Sequence, residues 1–323
     1  MQAWIVERIT EQGAMRLAEM PQPEPGTGEV LVRVEAAGLN FLDTLMLRGA
    51  YQIKPPLPFT PGVEVAGAVV AAGAGTDLSP GERVFAVVPH GGFAEQALVP
   101  QRAAMPIPDD LPSPEAVALL GISYPTAHYA LTHRARLREG ETVLVHAAAG
   151  SVGSAAVQLG LAAGARVVAT ARGAEKLAIC RDLGAELAID YSDTDWVAKL
   201  RAYWPEGADV ILDPVGEAVG EQSLRCLAWE GRYLVIGFAG GRIPALPANR
   251  LLLKNAAAIG VFWGEVRNRD PELAREVQFE LMGMFREGRV APLIRGRYPL
   301  AEAGAALAAL AGRATVGKVV LVP

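Results

Sequence analysis

The chain has 323 residues, 51% hydrophobic and 20% charged, with 30 lysines plus arginines against 35 aspartates plus glutamates and a formal charge of -5. The length fits two domains with sizeable cores, the composition excludes a disordered chain, and the acidic balance argues against nucleic acid as a general partner. Two cysteines, Cys180 and Cys226, are too few for a disulfide framework or a four-cysteine zinc site, so a reducing, cytoplasmic setting is expected. The opening MQAWIVERIT has neither the basic stretch nor the apolar core of a secretory leader. Residues 142–165 carry no acidic or basic side chain, but four glycines interrupt them, which reads as strand, turn and buried helix rather than a membrane span.

In chain order, residues 1 to about 120 read as β-rich. Short apolar runs at 30–34, 63–70 and 83–88 alternate with the punctuation PQPEPGTGE, KPPLPFTPG and AGAGTDLSPGE. A polar, proline-rich linker (PIPDDLPSP) precedes a helix-like stretch over 115–131. From there strand-like runs recur at 142–147, 165–170, 186–190, 208–213, 232–237 and 256–262, with helix-like stretches at 153–163, 174–183 and 217–227 between them. Strands alternating with helices predict a doubly wound parallel sheet of six strands. After Trp263 the rhythm stops: Pro271 opens a helix, 301–311 is an alanine-rich helix, and 318–322 is a final strand.

The strongest local pattern is VLVHAAAGSVGSAAVQLGLAAGARVVAT. A strand ends at His146 and a helix opens near Ser151, with Ala148-x-Gly150-x-x-Gly153 between and after them, a dinucleotide fingerprint with alanine for the first glycine. Gly150 lets the backbone approach a pyrophosphate, Gly153 lets helix pack on strand, and the N–H groups at Ala149, Ser151 and Val152 face the phosphates. An NAD site places an acid about 20 residues on. Here stand Thr170, Ala171, Arg172 and Gly173, with no acid before Glu175. Arg172 and Lys176 are the candidate partners of a 2′-phosphate, so the expected cofactor is NADPH.

Two other patterns fail. Ala149-x-Ser151-x-Gly153 imitates a nucleophile elbow, but all four histidines (His90, His128, His133, His146) precede the serine. Gly312-x-x-x-x-Gly317-Lys318 imitates a phosphate loop, but Val319 replaces the required hydroxyl residue. His128 and His133 lack further ligands in helical register, and no metal is expected.

With these residues in view, the chain resembles the zinc-free branch of the medium-chain dehydrogenase/reductase superfamily, most of all the NADPH:quinone oxidoreductases. The matching stretches are AAGLNFLDTLMLRGAY, PFTPGVEVAGAV, GERVFAV, GGFAEQALVP, YPTAHYAL, HAAAGSVGSAAVQ, LDPVG and RATVGKVVLVP. Gly62-Val63-Glu64 stands where the zinc enzymes have Gly-His-Glu. The resemblance implies an α/β protein: a GroES-like β-rich catalytic domain over 1–122, completed by 264–323, and a Rossmann domain over 123–263 with the cofactor in the cleft between them. It places Asn40, Thr126 and Tyr129 beside the nicotinamide half, and Gly173, Lys176, Tyr191 and Arg313 around the 2′-phosphate. Thr170, Val215, Gly237, Phe238 and Phe262 line the rest. Asn40, Asp43 and Tyr51 are the catalytic candidates; Tyr51 matches by position the tyrosine of related enoyl thioester reductases.

The implied activity is hydride transfer to a quinone or other conjugated carbonyl acceptor. The alternatives are an enoyl thioester reductase of the same fold and a non-enzymatic NADPH-binding structural protein. The resemblance further implies a homodimer that pairs the strands near 256–262 of two Rossmann sheets, covering an edge otherwise prone to aggregation.

Overall fold

A computed structural model describes all residues, Met1 to Pro323. The chain divides into two compact units: Met1–Gly121 with Ile294–Pro323, and Ile122–Leu293. No helix is long and apolar enough to cross a membrane.

In the first unit the long strand Glu29–Leu39 is the hub. One edge pairs with Glu64–Ala72; the other pairs at its start with Gln96–Pro100 and at its end with Lys318–Val322. Arg83–Val87 and Ala104–Pro106 extend the sheet one way and Ile294–Pro299 the other. Valines alternate in the opening half of the hub strand, so Val30, Val32 and Val34 enter a core with Phe59, Val69, Phe93, Val319 and Leu321 while Arg33 faces water. A short helix, Phe41–Leu47, follows Asn40 directly.

The second unit holds six parallel strands: Thr142–Val145, Arg166–Ala171, Leu187–Asp190, Ala208–Asp213, Leu227–Val235 and Ala257–Gly260. Their spatial order is third, second, first, fourth, fifth, sixth. The central strands are buried on both faces, with Val143, Leu144, Val167, Val168, Val210 and Ile211 fully enclosed, which is why they read as unbroken apolar runs rather than alternating ones. Strand order reverses between Thr142–Val145 and Ala208–Asp213. Open α/β sheets bind ligands at the carboxyl ends of the strands beside such a reversal.

Two sequence expectations need correction. The first unit was expected to take in all of 264–323, but only 294–323 joins it. The helix Pro271–Arg286 turns Ala274, Val277, Leu281 and Met282 inward, and the Gln158 side chain bonds the Ala291 backbone in both directions, holding this segment to the second unit. The stretch 115–131 is not one helix. It breaks at Gly121 into Ser113–Leu120 and Ser123–His128, and a π-helical turn, Tyr129–Arg134, follows. A Cβ at Gly121 would lie 2.2 Å from the Glu64 carboxylate, so a buried charge dictates glycine where the helix ends. Trp196–Tyr203, held by buried Trp196 and Leu200, is a helix the apolar periodicity did not announce.

Candidate cofactor and reaction site

The turn after the first parallel strand is built on close approach. Ala147 takes a left-handed conformation, and the Ala148 N–H donates to the Thr170 carbonyl on the neighbouring strand (2.9 Å). The helix Ser151–Ala162 then opens with no side-chain cap, and its internal ladder starts with the Ser154 N–H donating to Gly150. The N–H groups of Ser151, Val152 and Gly153 therefore precede the ladder and are available to an anion. A Cβ on Gly153 would fall 2.3 Å from the Ala147 carbonyl oxygen; on Gly150 it would sit 3.2 Å away. Gly153 is thus the position that packing cannot spare, and Gly150 is more permissive.

Behind the turn lies a network that sequence reasoning missed. His146 is fully buried; its Nδ1 lies 2.7 Å from the Thr170 hydroxyl and its Nε2 2.8 Å from the Ser223 hydroxyl. The Ser223 hydroxyl donates to the Val219 carbonyl (2.6 Å), so it accepts from Nε2–H, and Nδ1 accepts from Thr170. Burial holds the imidazole below its ordinary pKa, against an upward pull from Asp213, which keeps it neutral. Thr170 was expected to line the cofactor. Its side chain is fully buried and committed to His146, so it supports the turn from behind.

At the end of the second strand, Arg172 and Gly173 are exposed and Lys176 is partly buried, its pKa lowered by that burial. Gly173 has φ 87 and caps the helix Ala174–Asp182. Its N–H donates to Asp190, whose carboxylate also takes the Ser192 N–H and hydroxyl. No acid stands between the end of the second strand and Glu175, yet Asp190 from the third strand lies within electrostatic reach of Arg172. A strand run ending in Asp was visible; its partner across the sheet was not.

Asp213, at the end of the fourth strand, accepts the Val215 and Gly216 N–H groups (2.7 and 3.0 Å) and the Tyr233 hydroxyl, which fixes the turn carrying Val215. Phe238 and Phe262 are exposed and Gly237 is partly so. Thr126 is buried, and the Tyr129 ring stacks on His133 at 5.5 Å and meets Trp263 at 5.8 Å.

Asn40, Asp43, Tyr51 and Arg313 belong to the first unit and the other candidates to the second. Asn40 ends the hub strand and precedes the helix Phe41–Leu47; its N–H donates to Asp43 (2.8 Å). Burial pushes the Asp43 carboxyl up to about 8, in spite of that hydrogen bond. Asp43 is fully enclosed and its Oδ1 has no partner, so it caps the turn as a neutral acid. Tyr51 is half-buried in the irregular segment after the helix. Two buried charges escaped sequence reasoning: Glu64 and Lys318, which pair with each other and with the Asn40 side chain. Three or more His, Cys, Asp or Glu side chains able to hold a metal ion are nowhere grouped.

A Rossmann sheet with an uncapped glycine-turn helix, joined in one chain to a β-rich unit around a buried polar centre, is the plan of a medium-chain dehydrogenase/reductase. Residues 26–109 match the family described as alcohol dehydrogenase GroES-like domain and residues 151–278 the one described as zinc-binding dehydrogenase. A quinone oxidoreductase-like protein 2 homolog of Nematostella vectensis is 42% identical over 92% of this chain and 82% of its own length. The quinone oxidoreductase of Thermus thermophilus, solved alone and with NADPH, is 41% identical with a TM-score of 0.85 over 100% of both chains. That of Escherichia coli, solved with NADPH, is 26% identical with a TM-score of 0.91 over 100% of both. The chain belongs to the quinone oxidoreductase family of that superfamily, with a GroES-like domain and a Rossmann domain.

Proposed function

We propose that this protein is an NADPH-dependent reductase of quinones or other conjugated carbonyl compounds. The observation that carries the reading is the helix Ser151–Ala162, which opens uncapped at the strand-order reversal on a turn that only Gly153 permits. Those N–H groups fit a pyrophosphate. Arg172 and Lys176 fit a 2′-phosphate, with Tyr191 and Arg313 as further partners, while Asp190 is turned to the Gly173 N–H and to Ser192. Val215, Gly237, Phe238 and Phe262 would line the path to the nicotinamide, and Asn40, Thr126 and Tyr129 its ring. NADPH supplies the hydride when bound; the protein's part is to bind, orient and deliver a proton. A neutral donor is required as negative charge develops on the acceptor oxygen, and the Tyr51 hydroxyl is assigned that role.

The test is an NADPH-oxidation screen over quinones, enones and enoyl thioesters, run beside NADH. Removing both cations (R172A/K176A) is expected to raise KM for NADPH by about 100-fold or more and leave NADH unchanged, since each charge-assisted contact contributes about 1.5–3 kcal/mol. Equal use of NADH by the unmodified protein would overturn the cofactor assignment. A Tyr51→Phe variant with unchanged rates on every acceptor would remove Tyr51 from the chemistry.

A homodimer through the sixth strand is proposed with it. Ala257–Gly260 leaves the sheet edge unpaired, and Leu252 and Leu253 beside it are 80% and 73% exposed. Both cysteines are free and buried, Cys180 pushed up to about 11 and Cys226 to about 12, which fits a cytoplasmic setting without calling on thiol chemistry.

A further inference from the structure

The centre of the first unit holds a charge pair that the reaction scheme has not used. Glu64 is 0% and Lys318 3% exposed, and they are joined directly. Buried ion pairs seldom repay their desolvation in stability alone, since apolar residues of similar volume do as well or better. This one is also expensive in sequence. The Glu64 and Lys318 side chains cross over Gly38, the residue that faces Glu64 on one neighbouring strand and Val320 on the other. A Cβ on Gly38 would lie 2.0 Å from Glu64 Oε2 and 2.9 Å from Lys318 Cε, and Gly121 is constrained by the other Glu64 oxygen. Two glycines are therefore committed to housing the pair.

What the pair touches is Asn40. Lys318 Nζ donates to Asn40 Oδ1 (2.8 Å), and Asn40 Nδ2 donates to Glu64 Oε2 (2.8 Å). An asparagine amide is nearly symmetric in shape, so nothing steric stops it from turning over. Here turning over would set amide hydrogens against the ammonium and the amide oxygen against the carboxylate. Two charge-assisted hydrogen bonds would be exchanged for two repulsive contacts. The pair thus selects one orientation, and the second Nδ2 hydrogen is left without a protein acceptor.

We propose that Lys318 and Glu64 are positioning residues that hold the Asn40 carboxamide in a single orientation toward the nicotinamide end of the bound dinucleotide. This rests on the reading above that Asn40 meets the nicotinamide. The ammonium from the Gly317-Lys318 string, which is no phosphate loop, then acts through Asn40 and never touches the acceptor.

The test uses the full chain in six variants: N40A, K318M, N40A/K318M, E64Q/K318M, K318R and N40A/E64Q/K318M. In E64Q/K318M both charges go together, so the core is left neutral. NADPH affinity by fluorescence is expected to stay within about threefold of wild type, because neither Glu64 nor Lys318 is among the proposed phosphate partners. The single-turnover rate of NADPH oxidation is expected to fall about 10- to 100-fold, as for a misplaced reacting group. Adding N40A should then slow it no more than about twofold, and K318R should recover most of the rate of wild type. In cofactor-free protein, the melting shifts of N40A and K318M should be non-additive.

A slow N40A beside an E64Q/K318M variant of wild-type rate would overturn this inference and leave the functional reading standing. An N40A of wild-type rate would remove Asn40 from the reaction, and the inference with it. Should E64Q/K318M not fold, the N40A, K318M and N40A/K318M melting cycle decides, and additive shifts would overturn the proposal.

Discussion

The glycine turn of the second unit and the Asn40 nest of the first are both strand-to-helix junctions, stabilised by opposite means. Behind the turn, His146, Thr170 and Ser223 form a neutral chain in which each hydrogen has an acceptor. Around Asn40 the work is done by a full ammonium and a full carboxylate enclosed together. Pyrophosphate recognition needs a rigid backbone with a partial positive end, and neutral hydrogen bonds keep it rigid without adding a competing charge. Orienting one near-symmetric amide needs a strong local field, which only charges in a dry site provide.

That contrast predicts a hierarchy of stability losses. Lys318→Met strands the Glu64 carboxylate and should cost about 3–5 kcal/mol of unfolding free energy, most of which E64Q/K318M should restore. Thr170→Val removes one neutral bond to His146 and should cost about 1–3 kcal/mol. Equal losses for the two in urea titration would erase the distinction.

Gly153→Ala sharpens the turn's half of the comparison. Its Cβ meets backbone oxygen, which cannot rotate away, so an overpacking cost of about 1–3 kcal/mol is expected with a matching loss of NADPH affinity. Gly150→Ala should do less on both readouts.

Smaller effects appear as opposite pH slopes. Asp43 is raised from 3.8 to about 8, so the folded state holds a proton that the unfolded state releases between those values. Its contribution is present below about pH 4 and is lost as pH rises to about 8; Asp43→Asn should therefore gain on wild type across that window. His146 is lowered from 6.5, so its contribution is present above about pH 6.5 and is lost as pH falls. The difference between wild type and His146→Gln should shrink on acidification, and melting temperatures from pH 4 to 9 check both signs. Leu252→Glu, exposed on the helix beside the sheet edge, should change stability of the isolated unit by less than about 0.5 kcal/mol while shifting sedimentation to monomer.

Much of the second unit was legible because its information is local. Strand run, glycine turn and helix follow one another within 142–163, and periodicity plus glycine spacing suffice to read them. At 115–131 the break was partly legible, since Gly121 and Pro125 both interrupt a helix; what lay outside the window was Glu64, whose carboxylate leaves no room for a Cβ at 121. Asp190 escaped for the same reason, because a carboxylate three strand-lengths along the chain became the neighbour of Gly173 through the sheet register.

The sequence by itself determined the two-domain plan, the parallel sheet and its glycine turn, and the positions of Asn40, Arg172 and Tyr51 within recognisable stretches, because hydrophobic period and turn chemistry act over a few residues. Tertiary structure alone decided that Asp43 is an enclosed neutral acid, that Thr170 faces His146, and that Lys318 crosses Gly38 to meet Glu64 and Asn40. Those outcomes depend on which strands become neighbours and on how completely water is removed, and neither quantity resides in a local stretch of chain.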